Sequence, residues 1–146
     1  MGGVSGHIQE DDRVNIRFSE KPFYLSKEQT AFVLEKLHSL TLDEKIGQLF
    51  LPINYIEDEQ ELRAFVKRFQ PGGLMNRPAF AKLNQKRHRV IQDESRIPAL
   101  IPANIESGGN GAATEGTAFG NPLQVAATGD ASYALALGRI SGGRGG

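Results

Sequence analysis

Three asparagines stand where apolar runs of the chain end: Asn54 after the run at 49–53, Asn76 after Leu74-Met75, and Asn104 after the run at 99–103. A side-chain amide offers two donors and an acceptor without a charge, which suits the mixed donor and acceptor character of sugar hydroxyls. For any one asparagine, turn or capping chemistry is the better explanation. For Asn54 and Asn76, however, Asp58 and Arg77 occupy the better cap positions. Three asparagines at the same point of three runs favour a neutral, polar ligand. After the third run comes the loop Asn104-Ile105-Glu106-Ser107-Gly108-Gly109-Asn110-Gly111, in which Glu106 is the one carboxylate. Glycoside hydrolysis needs two carboxyl groups, ~5–5.5 Å apart in retaining enzymes and ~6.5–9.5 Å in inverting ones. Of the acids near this rim, Glu57, Glu106 and Glu115, no spacing pairs any two. Glu106 therefore reads as a substrate-binding or structural group. The loop also lacks the third glycine or alanine of a dinucleotide fingerprint and has no Walker lysine.

The elements that would position these residues follow from hydrophobic period and caps. Ser26 with Gln29, and Thr41 with Glu44, are capping boxes. The first precedes Thr30, Val33, Leu34 and Leu37 at helical spacing, and the second a short helix through Leu42, Ile46 and Leu49. Asp58 with Glu61 opens a helix whose Leu62, Phe65, Val66 and Phe69 make one stripe, with Glu59, Arg63 and Lys67 outside. Pro71-Gly72-Gly73 ends it, and Pro78 is placed to open another through about residue 93, with Phe80, Leu83, Val90 and Ile91 on its apolar face. Asp130 caps a final helix at 131–140. The apolar runs centred near 51, 74 and 101 read as strands, each gap between them holding one amphipathic helix. Such spacing is that of right-handed βαβ units in a parallel sheet, so the expected class is α/β. In these folds ligands gather at the carboxyl ends of the strands, where the asparagines lie. Pro52 and Pro102 fall inside two of the strands, where bulges or early endings are expected.

The chain has 146 residues, enough for one core, with residues 1–25 as an N-terminal extension and 26–146 as the domain. Seventeen basic and seventeen acidic side chains cancel, so no global field draws in a polyanion or an anionic membrane. The basic run Lys82, Lys86, Arg87, His88 and Arg89 has no interleaved aromatic residue, and Lys82, Lys86 and Arg89 share a face opposite Phe80 and Leu83. A solvated helix face explains it, apart from Arg87, which falls within the apolar stripe and is read as snorkelling. Nucleic acid is not an expected partner. There is no cysteine and the three histidines are scattered, so neither a disulfide framework nor a metal cage is expected. No apolar run approaches the ~18 residues that cross a bilayer. The N-terminus lacks the features of a secretory signal, and Gly6 stands where a myristoylation signal wants serine or threonine. The expectation is a cytoplasmic protein without a membrane partner.

Four motifs in order resemble one family. They are Leu40-Thr41-Leu42-Asp43-Glu44-Lys45-Ile46-Gly47-Gln48-Leu49-Phe50; Gly72-Gly73-Leu74-Met75; Ile97-Pro98-Ala99-Leu100-Ile101 leading into Asn104-Ile105-Glu106-Ser107-Gly108-Gly109; and Ala126-Ala127-Thr128-Gly129-Asp130 with Leu137-Gly138-Arg139-Ile140. Over about 40–142 the chain resembles the start of the N-terminal domain of glycoside hydrolase family 3. The resemblance implies the first three βα units of a (β/α)₈-type barrel and a retaining hydrolase of β-linked glucosides or N-acetylglucosaminides, with no metal or organic cofactor. Within this chain sugar contacts are expected at Asn104 first, then Glu106, then, more distantly, Arg77, and no catalytic residue is assigned. Asn104 stands where the family usually has an aspartate that holds sugar hydroxyls, so the charge is missing here.

A complete barrel takes eight strands and ~250 residues, so the expectation is a truncated N-terminal portion. The family's aspartate nucleophile and its acid/base group would come later in the sequence, so this chain is expected to be inactive by itself. It is also expected to self-associate through open strand edges. Two other readings stay open: a non-enzymatic sugar-binding or regulatory remnant, and an unrelated α/β domain that binds a phosphate ligand at the glycine-rich loop.

Overall fold

The computed structural model describes residues 16–142, which fall into two compact units divided between Ser39 and Leu40. The N-terminal stretch read for targeting signals, through residue 15, and the glycine-rich end at 143–146 lie outside the described residues. In the first unit a turn brings the Phe18 and Phe23 rings to 5.8 Å, and α1 (Lys27–Ser39) follows. Its start is the expected capping box: Gln29 N–H donates to Ser26 Oγ and Ser26 N–H to Gln29 Oε1.

The second unit contains α2 (Leu42–Gly47), α3 (Glu59–Phe69), α4 (Ala81–Glu94), a 3₁₀ turn at Gly109–Gly111, α5 (Pro122–Ala127) and α6 (Ala131–Gly142). The Thr41/Glu44 box caps α2 and Asp58 caps α3. The core lies where α3 and α4 meet the segments before Asn76 and Asn104: Leu62, Val66, Leu74, Val90, Ile91 and Ala99 are buried together, with Ile56 and Phe65 packed on them. Full burial of a Leu, Ile or Val side chain contributes about 1.5–3 kcal/mol. Outside the core, Glu59 pairs with Lys86 and Arg63, and Arg63 also reaches Glu94, so the outward faces of α3 and α4 are laced by charge.

The expected α/β class, with three barrel-type βα units, does not hold. Among the described residues there is no strand ladder, only isolated bridges, and the chain is mostly helical. The three apolar runs do lie side by side, through single parallel bridges Ile53↔Met75 and Gly73↔Leu100. The two prolines account for their failure to extend. Leu100 N–H donates to Gly72 O and Leu74 N–H to Leu100 O; the next donor in that register would be residue 102, and proline has no N–H. Asn76 N–H then bonds Pro102 O, leaving one rung half made. On the other side Met75 N–H donates to Pro52 O and Asn54 N–H to Met75 O, while a preceding rung would need a donor at Pro52.

Two further differences concern the helices. α4 begins at Ala81, three residues beyond Pro78, and it buries Asn84 with Val90 and Ile91 while Phe80 and Leu83 remain exposed. α5 was not expected, yet Asn121 and Gln124 form a capping box with Pro122 in the first turn.

Candidate functional site

The three asparagines divide by role. Asn76 is buried, and its amide is fully engaged: Nδ2 donates to Ala112 O at 2.9 Å and Oδ1 lies 3.0 Å from His88 Nε2. Asn84, one turn earlier on α4 than His88, donates to the same Ala112 carbonyl at 2.8 Å and to Arg77 O at 3.3 Å. Burial holds the His88 pKa below the ordinary histidine value, so the ring is kept neutral, and a neutral imidazole bonded to Asn76 Oδ1 carries its proton on Nε2. Asn54 spends its Oδ1 on the Ile56 N–H at 3.0 Å, tightening the turn after the first run. Asn104 differs from both. It is exposed, and among the described residues its side chain has no hydrogen-bond partner.

The glycine-rich loop is held from several directions. Thr114 N–H bonds Ala79 O, Ser141 Oγ on α6 bonds Ile105 O, and Phe119 N–H bonds Ser107 O. Gly111 packs so closely on the Asn104 carbonyl that any Cβ there would collide with it. Gly108 has φ 118°, which an L side chain rarely adopts. These two glycines allow the tight path of the loop, on which Asn104 and Glu106 are exposed. Glu115, one of the rim acids, is a capping group instead: both its carboxylate oxygens lie 3.0 Å from Ala81 N, where Phe80 offers no side-chain cap to α4. Hydrogen bonds from its own backbone N–H and that of Ala81 hold its pKa below the ordinary glutamate value.

Of the sequence-assigned contacts, Asn104, Glu106 and Arg77 are all exposed, and no hydrogen bond or ion pair joins them to one another. Arg77 instead lies over the Tyr55 ring, its guanidinium carbon 5.7 Å from the centroid. Tyr55 follows Asn54 as Arg77 follows Asn76, and no motif of the sequence marks it. A cavity of about 230 Å³ is lined by Asn76, Asn84, Gln85, His88 and Ile101, with Ala81, Ala103, Ala112 and Ala113. A larger apolar groove, about 590 Å³, lies away from them between α2 and α3, against Ile46, Phe50, Phe65 and Phe69. Among the described residues no three acidic or histidine side chains gather as a metal set, and no helix is long and apolar enough to cross a membrane.

No family model matches the chain. The beta-N-acetylglucosaminidase/beta-glucosidase of Cellulomonas fimi is 32% identical over 118 residues, 81% of this chain and 21% of that protein. Two solved structures of the beta-glucoside phosphorylase BglX are each 41% identical over 85% of this chain. The one bound to 2FGlc has a TM-score of 0.72 and is covered over 23% of its length; the other scores 0.69 and is covered over 22%. The resemblance to the N-terminal domain of glycoside hydrolase family 3 thus holds over more than four fifths of this chain, which spans about a fifth of the length of these relatives.

Proposed function

We propose that this chain supplies the sugar-recognising early portion of a family-3-like enzyme of β-linked glucosides or N-acetylglucosaminides, and that by itself it binds without turning over. The observation that carries the reading is the free, outward Asn104 on a loop held rigid around it, at the position where the resemblance implies a sugar contact. Glu106 is the second contact, available to accept from a hydroxyl, and Arg77 the third. Glu115, the other acid of the loop, is engaged in capping α4. The test is incubation of purified chain with chromogenic β-glucoside and β-N-acetylglucosaminide, with saturable binding of the methyl glycosides measured in parallel. Binding without release of chromophore is expected, and release above background contradicts it.

A second reading concerns the acceptor in the whole enzyme. The structures at 41% identity are of a phosphorylase, which favours transfer of the glycosyl group to phosphate over transfer to water. Binding of the methyl glycoside that strengthens when inorganic phosphate is added would support this reading, and indifference to phosphate would oppose it. We also propose that the chain self-associates through the outer backbone edges of the 49–54 and 99–104 segments, helped by exposed Leu49, Phe50 and Leu100. Sedimentation that depends on concentration is the expected behaviour.

A further inference from the structure

We infer that Tyr55 and Arg77 form a stacking platform for a pyranose ring at the rim that carries Asn104, an inference that rests on the carbohydrate reading above. Tyr55 is 71% exposed, although tyrosine is a residue whose ring ordinarily finds cover. Its exposure has a local cause. Asn54 Oδ1 holds the Ile56 N–H, which fixes the turn on either side of Tyr55. Arg77 is prepared in the same way: Asn76 before it is buried and bonded to Ala112 and His88, and the Arg77 carbonyl itself accepts from Asn84 Nδ2. Single bridging of Ile53 to Met75 then sets the two following residues on neighbouring segments. Two inward asparagines thus anchor an outward aromatic and an outward guanidinium, which meet at 5.7 Å.

The chemistry of the pair suits a sugar. A pyranose has one face of C–H groups, which lies on an aromatic ring, and a rim of hydroxyls, which an arginine fork can donate to. The cation over the ring restrains both side chains before any ligand arrives, which lowers the ordering cost of binding. Tyr55 is on this account the residue that recognises the ring face, and Arg77 and Asn104 the residues that recognise its hydroxyls.

The test is calorimetric titration of the full chain with methyl β-glucopyranoside and methyl N-acetyl-β-glucosaminide. Tyr55→Ala is expected to weaken binding about tenfold, Tyr55→Phe to stay within about twofold, and Arg77→Lys to weaken it about threefold. The chain has three tyrosines and no tryptophan, so a sugar-dependent change in tyrosine emission is expected in the wild type. It should vanish in Tyr55→Phe even though that variant still binds. Tyr55→Ala binding as tightly as wild type, while Asn104→Ala binds weakly, would overturn the platform and leave the carbohydrate reading standing. An emission change that survives Tyr55→Phe would also overturn it. Failure of the wild type to bind either sugar would overturn both.

Discussion

The α3–α4 half of the second unit and its α5–α6 end are both helical, yet they use their side chains in opposite ways. α3 and α4 bury Leu62, Val66, Asn84, Val90 and Ile91, whereas α5 and α6 bury none, and Leu123, Tyr133 and Leu135 are exposed. Helix formation at both places needs only caps and favourable residues. A buried face needs something to bury against, and only α3 and α4 have the segments carrying Leu74 and Ala99 beneath them. The lesson for function is that the site's fixed parts belong to the packed half. Asn76 and Asn84, held among α4 and the loop, position residues that themselves remain in solvent.

The contrast breaks most visibly by substitution in the core. Leu62→Ala is expected to cost about 2–5 kcal/mol in urea denaturation, while Leu135→Ala on α6 should change stability by less than about 0.5 kcal/mol. Equal losses at both sites would erase the distinction. Next in size is Gln70, a buried polar residue with φ 43° that closes α3. Its Nε2 donates to Val66 O at 3.2 Å and Glu94 O at 2.9 Å, and its Oε1 accepts from Arg96 N–H at 2.8 Å. Gln70→Ala leaves these groups without partners and should cost about 1–3 kcal/mol in the same experiment.

Smaller effects come from titration. Glu44 is held below the ordinary glutamate pKa chiefly by the Arg96 guanidinium at 2.8 Å, then by the Thr41 N–H. A carboxyl lowered in the folded state contributes stability above its unfolded pKa, about 4.3, and loses it as pH falls through the folded value. The melting temperature should therefore drop on acidification below that range, and Glu44→Gln should make the drop shallower. His88 is also lowered, by burial, so its neutral form is the folded one; its contribution is present above about pH 6.5 and lost as pH falls through the folded value. In an NMR titration its ring signals should move below the ordinary histidine range, and movement at or above that range would mean the ring is not shielded as described.

Much of the helical half was legible in the residues. Capping boxes at Ser26 and Thr41, the Asp58 cap and the α3 stripe each depend on spacing within one turn, which a sequence displays directly. The same signal stands at Asn121 and Gln124, at the end of a glycine-rich stretch that otherwise has the composition of a loop. What was not legible depended on partners distant in the chain. Glu115 caps α4 across 34 residues, and that is why the helix starts at Ala81. Early endings at Pro52 and Pro102 are expected from the sequence, but their extent, with the three runs reduced to single bridges, depends on which backbone atoms face each other. For the candidate site, the asparagine pattern gives no sign that Asn76 is buried and bonded while Asn104 is exposed. Neighbouring Tyr55 emerges only once Arg77 is seen above it.

The central claim is that Asn104 meets the ligand while Asn76 holds the frame, and thermal melting with and without methyl β-glucopyranoside tests it most directly. Asn104→Ala should melt where the wild type does and lose the upward shift that sugar gives, whereas Asn76→Ala should melt lower without sugar, its buried partners at Ala112 and His88 being stranded. A sugar-induced shift that survives intact in Asn104→Ala would contradict the account.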